Sequence, residues 1–328
     1  MQILMTPTAH ARVADRLSAM GSDIDVVTID SDGTLKRAGA PVEASGIDPE
    51  TFWVSLDLFI SGGLPAFFAR MLAGTQGKWA QLFNAGLDNP AFKTLMAKNI
   101  RLTKSSAQAP AIAEYVMCHA LSLLHPIAGQ RKAQDAHAWT RLAFREIAST
   151  RWLILGFGAI GTEIAKRLQP FGAKLTVVRR HATPEPLAAE VRPTSDLLSV
   201  LPEADVVVLA CALNEETRGI AGAAFFAAMK QGSLLVNIGR GGLVDEAALK
   251  AGLDRDQPRH AVLDVFETEP LPADAWFWDH PKVIVTAHTS SAGDGLLKRG
   301  DELFLENLRR YRAGEPLLNE AKPGEVGL

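Results

Sequence analysis

The chain has 328 residues, 47% of them hydrophobic and 22% charged, a length and composition that indicate two globular domains and exclude a long disordered segment. Its formal net charge is −3 and no apolar run approaches the roughly 18 residues of a membrane span, so neither nucleic acid nor a membrane is expected as a partner. Only two cysteines, Cys118 and Cys211, are present; they lie far apart, which excludes a disulfide framework, predicts no metal site and favours a cytoplasmic protein.

The first hundred residues predict a small α/β domain with irregular connections. Short strands are indicated at Ile3–Met5 and Val26–Ile29, and glycines and prolines interrupt the stretch from Ser31 to Pro65. A long, mostly apolar helical pattern from Ala109 to Leu124 is expected to cross into the second domain. Near the end of the chain, Glu302–Tyr311 is amphipathic, and we expect its apolar face to return to the first domain.

These crossings predict a discontinuous first domain of residues 1–101 and 290–328 and a second domain of residues 102–289. From about residue 151, apolar runs alternate with helical patterns, which is typical of βαβ units and a doubly wound parallel sheet. Helices are predicted at Thr217–Lys230 and at Asp245–Leu253, with Asp245 capping the second. Six strands are predicted, at Trp152–Leu155, Lys174–Val178, Val206–Leu209, Leu234–Ile238, Ala261–Val265 and Val283–Thr286.

A glycine-rich segment follows the first of these strands and opens a helix, which is the context of a dinucleotide-binding fingerprint. It reads Gly156-Phe157-Gly158-Ala159-Ile160-Gly161. Gly156 permits the tight turn, Gly158 lets the backbone approach a pyrophosphate, and Gly161 allows close packing of helix on strand. The alternative is a merely tight strand–helix turn, which the following strand at Lys174 makes the weaker interpretation.

The second strand ends in Val178-Arg179-Arg180, where an acidic residue usually binds the ribose hydroxyls of NAD. A carboxylate repels a 2′-phosphate, whereas two guanidinium groups offer it paired donors. We therefore expect NADP(H) to be preferred and NAD(H) to remain possible. The alternative is that Arg179 and Arg180 are two solvated surface arginines.

Three polar side chains lie at or just after strand ends of the same sheet, where doubly wound folds bind ligands. Arg240 lies between glycines and offers a planar fork suited to a carboxylate. His288 can protonate a carbonyl oxygen, and Glu269 can orient and support the imidazolium. Taken singly these are an ion-pairing arginine, a loop carboxylate and a loop histidine, but together they favour catalysis.

These motifs resemble those of the D-isomer-specific 2-hydroxyacid dehydrogenase family, in particular its glyoxylate and hydroxypyruvate reductase branch. The resemblance covers nearly the whole chain, is strongest from Ala109 to Gly314 and is weaker before residue 80. It rests on Ala113-Glu114-Tyr115, the glycine fingerprint, Asn237 to Gly241, Asp264 to Pro270, His288 and Asn307-Leu308-Arg309-Arg310-Tyr311.

The resemblance implies an α/β protein in which a Rossmann doubly wound parallel sheet forms the cofactor domain and a smaller, discontinuous flavodoxin-like α/β domain binds the substrate. It implies hydride transfer between NAD(P)H and C2 of a small 2-oxo acid, giving a D-2-hydroxy acid. It also implies a homodimer built around the cofactor domain and the stretch from His125 to Arg145.

The same resemblance implies residue roles. Arg240 would bind the substrate carboxylate, His288 would act as acid and base, and Glu269 would support His288. Backbone groups at Ala85 and Gly86, within Phe83-Asn84-Ala85-Gly86-Leu87-Asp88, would grip the substrate carboxylate, although an ordinary turn glycine is the alternative. The implied cofactor contacts are Ala159 and Ile160 at the pyrophosphate, Cys211, Ala212 and Thr217 at the central ribose, and Ile238, Gly239 and Asp264 at the nicotinamide.

The chain departs from the family pattern at three positions: Ala212 and Ala287 stand where proline is usual, and Arg179 replaces the acidic ribose binder. Two other functions stay open, a dehydrogenase for another small anion and a non-catalytic nucleotide-sensing protein of the same fold. Several aromatic residues would either line a pocket or dimer contact or pack in a core. These are Trp53, Phe83, Trp276, Phe277 and Trp278.

Overall fold

The computed structural model describes residues 1–87 and 89–328, and their contacts divide into two units. Unit 1 comprises Met1–Gln108 and Asp294–Leu328, and unit 2 comprises Ala109–Gly293. The boundary predicted at residue 101 falls inside unit 1, because Arg101–Thr103 forms the last strand of its sheet.

Unit 1 contains one seven-stranded sheet with helices. The strands run in the order β4-β3-β2-β1-β5-β6-β7, with β3 and β4 antiparallel and the others parallel. The parallel part has the flavodoxin-like order, in which the first strand lies between the second and the third. Its elements are β1 (Gln2–Met5), α1 (Pro7–Met20), β2 (Asp25–Ile29), β3 (Leu35–Arg37), β4 (Ala40–Pro41), β5 (Thr51–Val54), α2 (Leu56–Ile60), α3 (Leu64–Ala73), β6 (Trp79–Leu82), α4 (Pro90–Ala97) and β7 (Arg101–Thr103).

The amphipathic C-terminal segment is part of a helix, Leu296–Ala313, that belongs to unit 1. Phe304, Leu305 and Leu308 are buried in one cluster with Trp53 and residues of β1 and α1. This confirms the predicted packing of its apolar face. Helix α1 was missed by the sequence analysis, although Thr6 accepts a bond from the Ala9 N–H at its first turn and proline follows Thr6, which is an ordinary helix start.

Unit 2 contains a second seven-stranded sheet, which is entirely parallel. The order β10-β9-β8-β11-β12-β13-β14 is the doubly wound Rossmann order with one further strand at the end. Its elements are α5 (Ala109–Leu124), α6 (Ile127–Asp135), β8 (Arg151–Leu155), α7 (Ala159–Leu168), β9 (Lys174–Arg179), β10 (Glu190–Pro193), α8 (Leu197–Val200), β11 (Val206–Leu209), α9 (Ala223–Ala228), β12 (Leu234–Asn237), α10 (Glu246–Asp254), β13 (His260–Leu263) and β14 (Val283–Val285).

The six predicted strands of this sheet are confirmed, with ends within two residues of those predicted. The apolar run of β8 is buried on both faces, since Trp152 and Ile154 enter one cluster while Leu153 and Leu155 enter the other. The seventh strand, β10, was missed because its half-exposed residues at the sheet edge form no apolar run.

One helix prediction was wrong and another is confirmed. The helix predicted at Thr217–Lys230 is only α9, since the Asn214 side chain accepts the Thr217 N–H and Gly219 takes a left-handed φ of 63°, which together form a turn before it. At α10, the Asp245 side chain accepts the Ala248 N–H at 3.0 Å, as predicted for a cap.

Within residues 1–87 and 89–328, no single helix has the length and apolar character needed to span a membrane. Only α5 and α6 taken together satisfy both criteria, and a bend of 56° separates them.

Candidate active site

The three predicted catalytic side chains follow three neighbouring strands of the unit 2 sheet. Asn237 pairs with Leu263 and Leu263 pairs with Val285, so the ends of β12, β13 and β14 lie in one row. Arg240 and His288 each lie three residues beyond this row, and Glu269 lies in the longer loop after β13. Parallel strands bring their carboxyl ends to one edge of the sheet, which is where the loops meet.

His288 and Glu269 form a direct pair. Nδ1 of His288 lies 2.7 Å from Oε2 of Glu269, and Oε1 of the same carboxylate accepts the Phe266 N–H at 3.0 Å. An ionised carboxylate can only accept, so this network assigns the proton of the pair to Nδ1. Both side chains are partly open to solvent, at 51% exposed for His288 and 36% for Glu269. With Nδ1 engaged by Glu269, Nε2 is the ring nitrogen that remains to exchange a proton.

The turn that carries His288 is wrapped around Asp264. This carboxylate is only 1% exposed; its Oδ1 accepts the Thr286 hydroxyl at 2.6 Å and the Thr289 N–H at 2.8 Å, and its Oδ2 accepts the Ser290 N–H at 3.0 Å. The Asp264 carbonyl also accepts the His288 N–H at 2.9 Å. His288 itself takes a left-handed φ of 49°, a conformation that a non-glycine residue keeps only when its surroundings impose it.

The family resemblance implies a contact between Asp264 and the nicotinamide end of the cofactor. In the structure both of its carboxylate oxygens bind the turn that carries His288, which is a positioning role that the sequence did not reveal. The contact with the cofactor stays a prediction.

Arg240 follows β12 in a second shaped turn. Asn237 is 1% exposed; its Oδ1 accepts the Gly239 N–H at 3.1 Å, and its Nδ2 donates to the Arg240 carbonyl at 3.0 Å. Nη1 of Arg240 donates to the Gly239 carbonyl at 2.8 Å. The buried amide of Asn237 therefore fixes the backbone from which Arg240 projects, and Ile238, 5% exposed, packs in the core beneath it.

The turn after Arg240 packs directly on the loop that leads to Glu269. A Cβ added to Gly241 would lie 1.8 Å from the carbonyl carbon of Phe266 and 2.2 Å from the Glu267 nitrogen. Only glycine lets these two backbones touch, so the Arg240 turn and the Glu269 loop keep a fixed separation.

The glycine fingerprint forms the strand–turn–helix that was predicted, between β8 and α7. Gly156 has a φ of 91°, and a Cβ there would lie 2.5 Å from Cα of Cys211. Gly158 faces open space, with no atom within 4 Å of a Cβ position, directly before the N-terminus of α7. The open cradle and the free N–H groups of the first helical turn fit a pyrophosphate.

Beside this cradle lies a cavity of about 340 Å³ that brings together most of the predicted ribose-side residues. Arg180 forms an ion pair with Glu216 at 2.7 Å, and the Arg179 guanidinium lies 6.0 Å from the Phe157 ring centroid. Burial raises the pKa of the Cys211 thiol to about 11, so it is protonated at neutral pH. The predicted cofactor residues that line this cavity are Gly156, Arg179, Arg180, Cys211, Ala212 and Thr217. The residues present therefore fit a dinucleotide with its ribose against the two arginines.

Comparison with known proteins decides the family. Residues 117–290, more than half of the chain, match the model of the NAD binding domain of D-isomer specific 2-hydroxyacid dehydrogenases. The chain is also 35% identical over 225 residues to glyoxylate/hydroxypyruvate reductase B of Citrobacter koseri, an alignment that covers 65% of this chain and 68% of that protein. The chain belongs to the D-isomer specific 2-hydroxyacid dehydrogenase family.

Solved structures of this family resemble the whole chain. A D-isomer specific 2-hydroxyacid dehydrogenase from Xanthobacter autotrophicus, in complex with NADPH and MES, has a TM-score of 0.79 at 26% identity and matches 99% of this chain and 98% of its own. The NADPH-dependent glyoxylate/hydroxypyruvate reductase from Sinorhizobium meliloti, in complex with NADP and sulfate, has a TM-score of 0.77 at 25% identity and matches 99% of both chains. By contrast, the chain spans 40% to 57% of the D-3-phosphoglycerate dehydrogenases that it matches.

Family membership makes the protein a 2-hydroxyacid dehydrogenase, an oxidoreductase with a nicotinamide cofactor. It also confirms the resemblance drawn from the motifs and the predicted fold class. Among the residues that the structure describes, no cluster of three or more His, Cys, Asp or Glu side chains is arranged to hold a metal ion.

The predicted substrate loop of this dehydrogenase lies in unit 1, directly after β6. The Asn84 side chain donates to the Gly86 carbonyl, and the Asn84 carbonyl accepts the Ser105 N–H at 2.9 Å. These bonds brace the backbone around Ala85 and Gly86. Asp88, the last residue of the predicted segment, lies outside the described residues.

The five aromatic residues whose role the sequence left open differ in how deeply they are buried. Trp53 and Phe277 are core residues, 3% and 2% exposed, and Trp53 stacks on Phe304 with centroids 4.2 Å apart. Trp276 stacks on Phe277, whereas Trp278 is 49% exposed. Phe83 is half-buried, 6.0 Å from the ring of Phe59.

Proposed function

We propose that this dehydrogenase reduces small 2-oxo acids, such as glyoxylate or hydroxypyruvate, to D-2-hydroxy acids and prefers NADPH to NADH. The observation that carries the proposal is the 2.7 Å contact between Nδ1 of His288 and Oε2 of Glu269. These residues lie in the loops after β14 and β13, and Arg240 lies in the loop after the neighbouring strand β12. When bound, the reduced nicotinamide supplies the hydride that goes to C2 of the oxo acid. The remaining requirements are a proton for the carbonyl oxygen and a group that holds the carboxylate.

The residues of the site are suited to these two tasks. His288 receives support for its protonated form from Glu269 through Nδ1, and its Nε2 then delivers a proton to the carbonyl oxygen. Arg240 holds the substrate carboxylate with the paired donors of its guanidinium group. We also propose that the backbone of Ala85 and Gly86, braced by Asn84, binds the substrate.

The preference for NADPH rests on Arg179 and Arg180. Both border the cavity beside the glycine cradle, and neither is a carboxylate that would repel a 2′-phosphate. Arg180 is held by Glu216 through an exposed ion pair at 2.7 Å, which is weak enough for a phosphate to compete. Support also comes from the relatives from X. autotrophicus and S. meliloti, which were solved with NADPH and NADP.

The test is the initial rate of NADPH oxidation and of NADH oxidation with glyoxylate, hydroxypyruvate, pyruvate and an aromatic 2-oxo acid. We expect turnover with the small oxo acids and a higher kcat/KM with NADPH. Arg179→Ala and Arg180→Ala should each lower kcat/KM for NADPH and leave that for NADH within about threefold, since of the two cofactors only NADPH carries the 2′-phosphate that these guanidinium groups would bind. Absence of turnover with every oxo acid, despite measurable NADPH binding, would overturn the substrate assignment.

We further propose that the enzyme is a cytoplasmic homodimer. The stretch from His125 to Arg145 supports this, because α6 within it has no buried residue and Trp139, Phe144 and Ile127 are 101%, 53% and 52% exposed. An ordered segment with such apolar exposure is typical of a surface that a second copy covers. Cys118 and Cys211 are free thiols, which fits a reducing compartment.

Light scattering after gel filtration tests the dimer. We expect twice the chain mass of 35.3 kDa, and a shift toward the monomer for Trp139→Ala but not for Trp278→Ala, which removes an exposed tryptophan elsewhere. A monomer for the wild-type protein at micromolar concentration would refute the proposal.

A further inference from the structure

Helix α5 reaches the His288 turn through one tyrosine. The Tyr115 hydroxyl lies 2.7 Å from Oγ1 of Thr286, and the Thr286 hydroxyl donates to Oδ1 of Asp264 at 2.6 Å. The Asp264 carboxylate can only accept hydrogen bonds, so the Thr286 hydroxyl donates its single proton to this carboxylate. The Thr286 oxygen must therefore accept the proton of Tyr115, and the chain of donation runs from Tyr115 through Thr286 to Asp264.

The end of this chain is the group that shapes the His288 turn. Asp264 is buried and receives the N–H groups of Thr289 and Ser290 in addition to the Thr286 hydroxyl. Thr286 lies two residues before His288 in the same turn. A phenol that fixes the orientation of Thr286 therefore acts on both the start of the turn and the carboxylate around which it is folded.

Tyr115 is held firmly enough to act in this way. It lies in the middle of the 16-residue helix α5, between the buried residues Ala113 and Val116, and its ring packs at 4.3 Å from that of His119. Burial raises the pKa of the Tyr115 phenol to about 12, so it keeps its proton at neutral pH and remains a donor. Because that proton is engaged by Thr286, Tyr115 does not serve as the proton donor of the reaction.

We infer that Tyr115 is a positioning residue for His288, acting through the hydroxyl of Thr286 and the carboxylate of Asp264. The inference rests on the proposed role of His288 as the acid and base of the reaction. It goes beyond that role by assigning to α5 the orientation of the reacting imidazole.

The first test is Tyr115→Phe, which removes only the hydroxyl. We expect kcat for 2-oxo acid reduction to fall about three- to tenfold, the effect of one hydrogen bond, with KM for NADPH and for the oxo acid within about twofold. The matched control is Tyr311→Phe, because Tyr311 is the other tyrosine of the chain and its hydroxyl donates to Glu50 at 2.6 Å within unit 1. That variant should keep the wild-type kcat.

A double-mutant cycle separates action through Thr286 from direct action. Thr286→Val removes the relay, so adding Tyr115→Phe to it should lower kcat no further. Thr286→Ser keeps the hydroxyl and should retain both the wild-type kcat and its sensitivity to Tyr115→Phe. An equal fold-loss from Tyr115→Phe in the wild-type and Thr286→Val backgrounds would overturn the inference.

Amide hydrogen exchange of Thr289 and Ser290 gives a readout that needs no turnover. Both N–H groups bind Asp264, so Tyr115→Phe should make their exchange faster while Tyr311→Phe leaves it unchanged. An inactive wild-type protein whose exchange responds to Tyr115→Phe would defeat the proposed reaction but uphold the positioning. Unchanged exchange, with kcat within twofold of an active wild-type enzyme, would defeat the positioning and leave the reaction intact.

Discussion

Replacing Gly241 by alanine should separate the loops that carry Arg240 and Glu269, two of the proposed catalytic residues, and nearly abolish activity. A Cβ at this position would lie 1.8 Å from the carbonyl carbon of Phe266 and 2.1 Å from its oxygen, whereas an ordinary carbon–carbon contact is about 3.5 Å or more. The two backbones must therefore separate by roughly 1.7 Å. Arg240 precedes the altered residue and the Phe266 N–H binds Glu269, so both of these proposed catalytic groups are displaced. Since a 1 Å misplacement can lower a rate about 100-fold, we expect kcat/KM to fall at least about 100-fold.

The neighbouring glycine provides a matched control. A Cβ on Gly242 would meet only the ends of side chains, Nη1 of Arg218 and Oε2 of Glu267 at 3.0 Å and Cδ2 of Leu213 at 3.1 Å. These ends can rotate away, so Gly242→Ala should keep kcat/KM within about fivefold of wild type.

The assay is NADPH oxidation at saturating and limiting 2-oxo acid, with NADPH binding measured separately by fluorescence and folding by thermal unfolding. For Gly241→Ala we expect a folded protein that binds NADPH and has lost most of its turnover. A kcat/KM within threefold of wild type would refute the reasoning, because the close approach of the two backbones would then have no bearing on catalysis.

Two further predictions concern charge. Glu269→Gln keeps the shape of the side chain but replaces a charge-assisted bond to His288 by a neutral one, so kcat should fall about tenfold. The control is Glu267→Gln in the same loop, which should change kcat less than threefold. Equal losses of kcat in the two variants would contradict the assigned roles. Burial opposes ionisation of Asp205, but ion pairs at 3.1 Å and 2.6 Å outweigh it and lower its pKa, so Asp205→Asn should lower the free energy of unfolding by about 1–2 kcal/mol at pH 7. Because the lowered pKa makes this stabilisation disappear as the pH falls below about 4, urea unfolding at pH 7 and at pH 3 checks it, and an equal difference at both values would exclude the ionic origin.

The cofactor half of the molecule was the more predictable one from sequence. Doubly buried parallel strands such as Val206–Leu209 are unbroken apolar runs, and the fingerprint from Gly156 to Gly161 is local in the chain, so both can be identified without knowing the fold. In unit 1 the strands are short and irregularly connected, and α1 was missed even though Thr6 caps it. The edge strand Glu190–Pro193 was missed because half-exposed residues carry no apolar signal.

At the candidate site, the residue types were predictable and their supports were not. Arg240, Glu269 and His288 follow recognisable strands, but the buried carboxylate of Asp264 has the same letter as any aspartate after a strand. Only the folded chain shows that it accepts three hydrogen bonds from residues 286–290. Tyr115 lies 171 residues before Thr286, and no local pattern connects them.

The sequence by itself therefore determined that the chain is globular, and it determined the alternation of strands and helices in the cofactor domain. It also determined the dinucleotide fingerprint and the order of the polar motifs, since these features depend on neighbours along the chain. The tertiary structure alone decided which strand ends lie side by side, how closely Gly241 approaches Phe266, and which buried groups hold the His288 turn. These features depend on packing between segments distant in sequence, where hydrogen-bond geometry and steric contact, and not local preference, select the partner.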